Sequence, residues 1–325
     1  MNGQTLSRSV LWGVLGLLVL LLPLVVTVPY FLHLVTLALI WVIVAQGQNL
    51  IQGFTGYVSI AQAGFMGIGA YSSALMSVKL GWSIWLTISV APVTTAVLAL
   101  LAGYPSLRVK GHYFAIVTLA YNMVIFIVLM TYSSLTGGEA GIAEIRRPAD
   151  VSWGLGTWRL GTREGYYYLV AAAAALATVV CALILHSRVG RVLVAIRQNE
   201  ALIEACGVQS WRYKLFAFVA SASLAGLAGA LYAHFISFLN PDAFGVDHSL
   251  NAILAVILGG SGTIAGPVLG AFAVVFLPEY LRVADTYRLV MYGVILVVAT
   301  IFMPRGLIPV LQDAGSRLTR MWGRR

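Results

Sequence analysis

Long apolar segments recur along the chain at lengths that match the thickness of a lipid bilayer. A spanning helix needs about 20 consecutive apolar residues because the hydrocarbon core is about 30 Å thick. Segments of this kind lie at about 10–29, 31–50, 57–79, 82–102, 112–131, 165–186, 213–238 and 287–303. The pattern predicts an all-α fold, a polytopic transmembrane helical bundle with about eight full spans.

A further apolar segment, 248–278, differs from these spans. It is long enough for two short passes and is interrupted by Gly259-Gly260-Ser261-Gly262. Glycine in the interior of a helix weakens the helix, so three glycines within the four residues 259–262 indicate a break. We therefore predict a Gly-broken helix pair that makes no net crossing of the membrane.

The hydrophilic segments 132–164, 187–212 and 304–325 separate or follow the spans and fix an orientation. With the N-terminus inside, the inner segments hold thirteen basic and three acidic residues, a net charge of +10. The outer segments hold seven basic and eight acidic residues, a net charge of −1. This asymmetry follows the positive-inside rule. It predicts an extracytoplasmic loop at 132–164, a cytoplasmic loop at 187–212 and a basic cytoplasmic tail at 304–325, in one transmembrane domain, 1–325.

Aromatic residues accumulate near the predicted outer surface. Trp153 and Trp158 lie in the outer loop, and Tyr166, Tyr167 and Tyr168 follow it. Tryptophan and tyrosine are enriched where hydrocarbon meets water. We expect these side chains to be interfacial anchors.

The composition requires lipid as the surrounding solvent. Of 325 residues, 60% are hydrophobic and 10% are charged, and the mean hydropathy is +0.91; soluble domains carry roughly 25% charged residues. The net charge of +9 is spread among apolar spans, and no nucleic-acid motif accompanies it. We expect membrane lipid, and no nucleic acid, to contact this chain.

Acidic residues are almost absent from the predicted spans. The only acidic residue there is Glu279, at the edge of one span. Ion-coupled carriers usually place ionisable groups inside the membrane, and the sequence has no P-loop, HExxH or GxSxG motif. We expect a protein that is not an enzyme and binds no cofactor, so any energy for transport comes from a partner.

Two glycine-rich stretches, 53–71 and 259–270, interrupt the apolar pattern, and polar side chains accompany them. These stretches permit close helix packing with hydrogen bonds between helices, or broken helices whose freed backbone groups line a path. The sequence leaves both alternatives open. The candidate residues of a translocation path are Asn49, Gln52, Ser59, Gln62, Asn122, Gly259, Gly260 and Gly262.

The cytoplasmic segment 187–212 has a short amphipathic pattern. Residues 197–206 have helical character, and Gly207 is placed to end the helix in a left-handed turn. Glu200 and Glu204 share one helix face, where we expect a solvated pair that contributes little to folding. This pattern favours docking to a soluble partner; the alternative is a basic loop held by phospholipid head groups. The candidate docking residues are Arg191, Arg197, Glu200, Glu204 and Gly207.

The first glycine-rich stretch contains Gly53-x-x-Gly56-x-x-Ser59 followed by Ala63-x-Phe-x-Gly-Ile-Gly-Ala-Tyr71. These motifs resemble the signature of LivM-type permease subunits of branched-chain amino acid ABC importers. Further blocks match in the family's order at 107–119, 136–142, 190–197, 213–218, 225–232 and 258–271. The resemblance extends over roughly 45–308.

The resemblance implies a multi-pass protein of the bacterial inner membrane that moves branched-chain or related small amino acids by alternating access. Its implied partners are a second permease subunit, two cytoplasmic ATPase subunits that use ATP, and an extracytoplasmic solute-binding protein. The alternatives are a urea or short-amide ABC permease and a stand-alone facilitator or channel. A coupling loop, which is implied at 187–212, discriminates, because a channel does not need one.

The implied coupling loop departs from the general importer pattern, in which three residues separate Glu-Ala-Ala from the glycine that follows it. After Glu200-Ala201-Leu202 the glycine, Gly207, comes one place late, and after Glu204-Ala-Cys206 it comes immediately. Both glutamates therefore remain candidates for the ATPase contact.

Overall fold

The computed structural model describes residues 28–281, except 110, 149, 154, 155 and 159. It also describes residues 23, 287, 290, 291, 293–295, 297 and 306–308. The predicted first span, 10–29, and the predicted tail, 304–325, lie almost wholly outside these residues, and so does more than half of the span at 287–303.

The described chain is a bundle of helices. They are α1 (Pro29–Gln48), α2 (Gln62–Val78), α3 (Ile84–Ser106), α4 (His112–Thr131), α5 (Ser133–Thr136), α6 (Arg163–His186), α7 (Arg188–Gln198), α8 (Glu200–Ala205), α9 (Ser210–Ile236), α10 (Val246–Gly259) and α11 (Ala265–Tyr280). A π-helical turn, Asn49–Gly53, continues α1, and 3₁₀ turns occupy Gly138–Ala140 and Pro241–Phe244. A small antiparallel hairpin pairs β1 (Val151–Trp153) with β2 (Gly156–Trp158).

The prediction of a polytopic transmembrane helical bundle is confirmed. Among the described residues, six helical segments are long and apolar enough to cross a membrane. They are Pro29–Gly53, Ile84–Ser106, His112–Thr131, Arg163–His186, Ser210–Ile236 and Pro241–Gly259. The predicted span at 57–79 is shorter than expected, because α2 begins only at Gln62 and has 17 residues. The count of about eight full spans stays a prediction.

Helix α1 forms the centre of the bundle. It is apolar on all sides, as expected for a helix without a lipid or water face, and most of its residues from Val35 onward are buried. Helices α6, α9, α10 and α11 pack around it. Helix α9 also packs closely on α2: a Cβ added to Gly229 would lie 2.8 Å from the Met66 carbonyl carbon. Small residues thus let the backbones of these helices approach.

The segments 132–164 and 187–212 lie at opposite ends of the bundle, because the 24-residue helix α6 connects them. At one end, Ile142 and Leu239 exchange two backbone hydrogen bonds of 2.9 Å. At the other end, α7 and α8 lie beside the chain between α1 and α2. The charge partition predicts that this second end is cytoplasmic.

The prediction of interfacial anchors is wrong for two of the tyrosines. Tyr166 and Tyr167 are fully buried, and the Tyr166 hydroxyl donates a 2.6 Å hydrogen bond to the Leu231 carbonyl. Both tyrosines lie at the start of α6, as expected for either role, and only the packing of neighbouring helices against α6 decides between them.

Candidate functional site

The first glycine-rich stretch begins where α1 leaves regular helical geometry. All five residues of the π-helical turn Asn49–Gly53 are buried, and such turns are frequent at functional sites. The Gln48 side-chain amide donates to Gln52 Oε1 and to the Ser59 carbonyl, at 3.0 Å in each case. Gly56 has a φ of +79°, a left-handed conformation that favours glycine. The chain is therefore broken between α1 and α2, as one of the two alternatives predicted.

The backbone groups freed by this break are bonded to side chains of neighbouring helices. Ser249 Oγ accepts from the Ala63 amide at 2.8 Å, and Asn122 Oδ1 accepts from the Gly64 amide at 2.5 Å. Backbone groups at membrane depth must find partners within the protein. Helices α4 and α10 supply them here, so in this conformation these groups do not face an open cavity.

The second break separates α10 from α11. Helix α10 ends at Gly259, and Gly260 and Gly262 have φ values of +122° and +83°, which side-chain-bearing residues rarely adopt. Gly270 of α11 packs against the carbonyl group of Ala255 in α10. The predicted Gly-broken helix pair is confirmed, and the absence of a net membrane crossing by this pair stays a prediction.

The two breaks meet in space. Asn49 Oδ1 accepts from the Gly262 amide at 3.0 Å, and Asn49 Nδ2 donates to the Thr263 carbonyl at 2.9 Å. A Cβ on Gly53 would lie 2.7 Å from the Gly262 nitrogen. We call this place, formed by residues 53–56 and 259–262, the break junction. The sequence around each break does not indicate that the two breaks contact each other.

The residues predicted to line a path are held in the packed interior. Asn49 and Asn122 are 0% exposed, and Gln52, the most exposed of the five polar candidates, is 8% exposed. Gln62 exchanges side-chain hydrogen bonds with α9, accepting from Ser221 Oγ at 3.2 Å. Gly259 and Gly260 are buried, and Gly262 is partly buried. The described conformation thus uses them in hydrogen bonds and close packing between helices, and their role in a path stays a prediction.

The predicted docking segment contains two short helices rather than one over 197–206. Asn199 separates α7 from α8 and caps α8, since its Oδ1 accepts from the Leu202 amide at 3.0 Å. Helix α7 buries Leu193 and Ile196, whereas α8 buries no residue, and Leu202 is 60% exposed. Gly207 has a φ of +84°, which confirms the predicted left-handed turn.

Glu200 is bonded within the protein, and the expectation that it is solvated is wrong. Its Oε1 lies 2.6 Å from Nζ of Lys214, a lysine that is 1% exposed, and its Oε2 accepts from the Tyr57 hydroxyl at 2.5 Å. Burial acts to raise the pKa of the Glu200 carboxyl. The hydrogen bonds from Lys214 and Tyr57 outweigh burial, so that the pKa is lowered.

The remaining docking candidates are exposed residues of α7 and α8. Glu204 is exposed, and its Oε1 accepts from the Ser210 hydroxyl at 2.5 Å. Arg191 is exposed on α7. Arg197 is also exposed for much of its length, yet its guanidinium reaches inward and donates to the Gly53 carbonyl.

Lys214 and Tyr57 were missed by sequence reasoning. Lys214 follows the start of an apolar span, where a lysine is expected for topological reasons alone. Its partner Glu200 is 14 residues away, and Tyr57 is 143 residues from Glu200. The hydroxyls of Thr118, Ser221 and Ser249, which bond the first break and Gln62, were missed as well. In the sequence, only their position as isolated hydroxyl residues within apolar spans could have indicated that these side chains bond other helices.

The described residues contain no group of three or more His, Cys, Asp or Glu side chains that could hold a metal ion.

A cavity of about 410 Å³ lies beside α8, between the end of α3 and the start of α9. Tyr104, Arg108 and Trp211 line it together with Glu204.

Comparison with known proteins gives a consistent result. The profile of the family described as "Branched-chain amino acid transport system / permease component" matches residues 30–300. The high-affinity branched-chain amino acid transport system permease protein LivM of Escherichia coli (strain K12) is 32% identical over 318 residues, which cover 90% of this chain and 74% of that protein.

Two further relatives extend the comparison. The permease protein LivH of the same organism is 27% identical over 297 residues, 84% of this chain and 92% of LivH. The ribose import permease protein RbsC of Haemophilus influenzae is 31% identical over 122 residues, 35% of this chain and 38% of RbsC. No solved structure matches. The profile match over residues 30–300 and the similarity to LivM show that this chain belongs to the family of branched-chain amino acid transport system permease components.

Proposed function

We propose that this chain is the membrane-spanning subunit of an ATP-binding-cassette importer in the bacterial inner membrane. It moves branched-chain or related small amino acids by alternating access, and partner subunits bind and hydrolyse the ATP. The observation that carries this proposal is the attachment of α7 to the break junction through Arg197 and of α8 to the adjacent Tyr57 through Glu200. A stand-alone facilitator or channel does not need a loop tied to its broken helices in this way.

Helices α7 and α8 have the properties of a docking site for the ATPase. Helix α8 buries none of its own residues, and it presents Leu202 to the solvent. An exposed leucine on a short, capped helix can enter a groove of a partner, where its burial stabilises the complex by roughly 1.5–3 kcal/mol. Because Glu200 pairs with the buried Lys214, whereas Glu204 is exposed on α8, we assign the ATPase contact to Glu204.

The assembly that we propose has two permease subunits, two cytoplasmic ATPases and an extracytoplasmic solute-binding protein. The similarity of this chain to both LivM and LivH of Escherichia coli supports a core of two related permeases. The segment 132–164, at the end of the bundle away from α8, is our candidate for the surface that receives the binding protein.

The buried amides near the two helix breaks support a path that opens there. Gln46 Oε1, Gln48 Oε1 and Asn122 Nδ2 have no hydrogen-bond partner among the described residues. A buried polar atom without a partner costs about 1–3 kcal/mol. A second conformation that satisfies these atoms, or exposes them to substrate and water, would lower that cost. Such a conformation is the inward- or outward-open state that alternating access requires.

The names of the relatives bear on the cargo. LivM and LivH are described as branched-chain amino acid permeases and RbsC as a ribose permease, so related chains serve cargoes of different chemistry. The match to LivM covers most of this chain, whereas the match to RbsC covers 35%. This difference favours amino acids, and urea or short amides are the alternative to be tested.

Reconstitution tests the proposal directly. Proteoliposomes that contain this chain, its second permease and the ATPases, with the binding protein outside and ATP inside, are expected to accumulate radiolabelled leucine. Leaving out the ATPases should abolish accumulation. Equilibration of leucine without ATPases would show a facilitator, and accumulation of urea rather than leucine would show the other cargo class.

A substitution on α8 tests the docking site separately. Leu202→Glu is expected to leave folding intact, because the side chain is exposed, and to reduce co-purification with the ATPases at least tenfold. Gln209→Glu adds the same charge at an exposed position just beyond α8 and serves as the matched control. Equal loss in both variants, or loss in neither, would contradict docking through α8.

A further inference from the structure

Arg197 connects the segment that contains α7 and α8 with the end of the central helix. The side chain starts on α7, passes Gly56 and ends with Nη1 donating to the Gly53 carbonyl. Gly53 is the last residue of the 25-residue segment Pro29–Gly53. Carbonyl groups at the C-terminal end of a helix have no partner within it, and the helix dipole favours a cation there.

Two glycines make room for this arginine. A Cβ on Gly56 would lie 3.2 Å from Arg197 Cγ, and a Cβ on Gly262 would lie 2.6 Å from Arg197 Nη1. Both residues also have positive φ. The guanidinium therefore occupies a place that is bounded by both breaks, and a larger residue on either break would displace it.

Three more contacts extend the connection. Glu200, three residues after Arg197, accepts a hydrogen bond from Tyr57. Segment 187–212 is therefore attached to the stretch 53–57 at both ends of that stretch, at Gly53 and at Tyr57. From there Asn49 bonds Gly262 and Thr263 of the second break. A movement of α7 and α8 would thus displace residues 53–57 and, through Asn49, the turn between α10 and α11.

We propose that Arg197 is a positioning residue that transmits movement of α7 and α8 to both helix breaks and keeps the cytoplasmic end of the break junction closed. The inference rests on the proposed function. It assigns Arg197 an inward role, in contrast to the ATPase contact that the sequence predicts for it. Arginine suits the role because its planar guanidinium carries five donors on a long stem.

Arg197→Met tests the inference, because methionine keeps an unbranched stem beside Gly56 and lacks the donor. In the reconstituted complex we expect leucine uptake to fall at least tenfold, while ATP hydrolysis and ATPase co-purification stay within twofold of the wild type. Arg188→Met removes the same charge from the exposed first residue of α7 and should leave uptake within twofold. Arg197→Lys, which retains one charged donor, should be intermediate.

A second measurement uses the permease alone. Ser261→Cys, in a background with Cys181→Ala and Cys206→Ser, places a near-isosteric thiol in the break junction. We expect Arg197→Met to raise its labelling rate by a membrane-impermeant maleimide in inside-out vesicles at least fivefold, and Arg188→Met to leave it unchanged. Should Arg197→Met be poorly inserted, Arg197→Lys gives the same comparison with a smaller increase.

The outcomes separate the inference from the proposed function. Wild-type uptake and labelling in Arg197→Met would overturn the inference, and loss of ATPase co-purification would make Arg197 a direct ATPase contact and overturn it as well. If the wild-type complex shows no ATP-dependent uptake, the proposed function fails. In that case the labelling experiment still decides whether Arg197 closes the junction.

Discussion

At the scale of single residues, the end of the bundle that contains α7 and α8 depends on Lys214. Its ammonium group is buried, lies 2.6 Å from Glu200 Oε1 and also lies over the Tyr57 ring, 4.6 Å from its centroid. A buried cation is tolerated only when it is paired. The carboxylate of Glu200 therefore has a structural role, whatever else the segment 187–212 contacts.

We predict that Glu200→Ala lowers the stability of the permease by about 2–3 kcal/mol. Breaking a buried ion pair typically costs 3–5 kcal/mol, and the loss is smaller here because 17% of the Glu200 side chain remains exposed. The thermal unfolding midpoint of the purified protein measures the effect. Glu204→Ala, at an exposed position, should change the midpoint little. The double variant Glu200→Gln/Lys214→Met, which leaves no unpaired charge, should recover most of the loss.

The pH dependence of the same pair has a definite sign. The pKa of Glu200 is lowered in the folded protein, so its stabilising contribution is fully present above the ordinary glutamate pKa of about 4.3. It is lost as the pH falls from there through the folded value. The difference in unfolding midpoint between wild type and Glu200→Gln should stay constant from pH 7 to about pH 5 and shrink only below about pH 4.3. A decline that begins near pH 6 would contradict the depressed pKa.

At the scale of elements, glycine determines how closely α2 and α9 approach. A Cβ on Gly229 would lie 2.8 Å from the Met66 carbonyl carbon and 2.9 Å from the Ala70 nitrogen. Both neighbours are backbone atoms, which cannot move as a flexible side chain would. We predict that Gly229→Ala destabilises the protein by about 1–3 kcal/mol, the usual cost of overpacking, as measured by thermal unfolding.

Gly293→Ala provides the control for this prediction. Gly293 is a helical glycine with nothing within 4 Å of an added Cβ, and alanine is the better helix former by about 1 kcal/mol. The variant should unfold at the same temperature as the wild type or slightly above it. Destabilisation of equal size at both positions would mean that close packing of α2 on α9 is not the cause.

At the scale of the whole molecule, the native cysteines test the orientation. The sequence has two of them: Cys206 is exposed beside Gly207, and Cys181 is buried. If 187–212 is cytoplasmic, as the charge partition predicts, a membrane-impermeant maleimide should label Cys206 in inside-out vesicles and not in intact spheroplasts. Cys206→Ser should abolish the labelling.

A cysteine at the opposite end completes the topology experiment. Ala140→Cys, at an exposed position of the segment 132–164, in the background without the native cysteines, should be labelled in intact spheroplasts. The reverse pattern for Ala140→Cys and Cys206 would show that the charge bias does not orient this protein.

Hydrophobic length, charge and glycine were sufficient to predict the class of the molecule. The lengths of the apolar segments predicted a polytopic helical bundle, because a helix of about 20 apolar residues has the length needed to cross the hydrocarbon core. The glycines at 259–262 predicted the helix pair, and Gly207 predicted a left-handed turn, because few other residues adopt positive φ. These properties depend on local sequence, so they can be predicted from it.

The partners of the polar groups were decided only by the tertiary structure. The sequence placed Glu200 on a solvated face and left Asn49 between two roles, whereas the fold brings Lys214 and Tyr57 to the first and Gly262 to the second. Each partner comes from a different helix or turn, and Gly262 is 213 residues away from Asn49. Sequence periodicity shows which face of a helix is polar, but the contact across that face depends on how the helices pack.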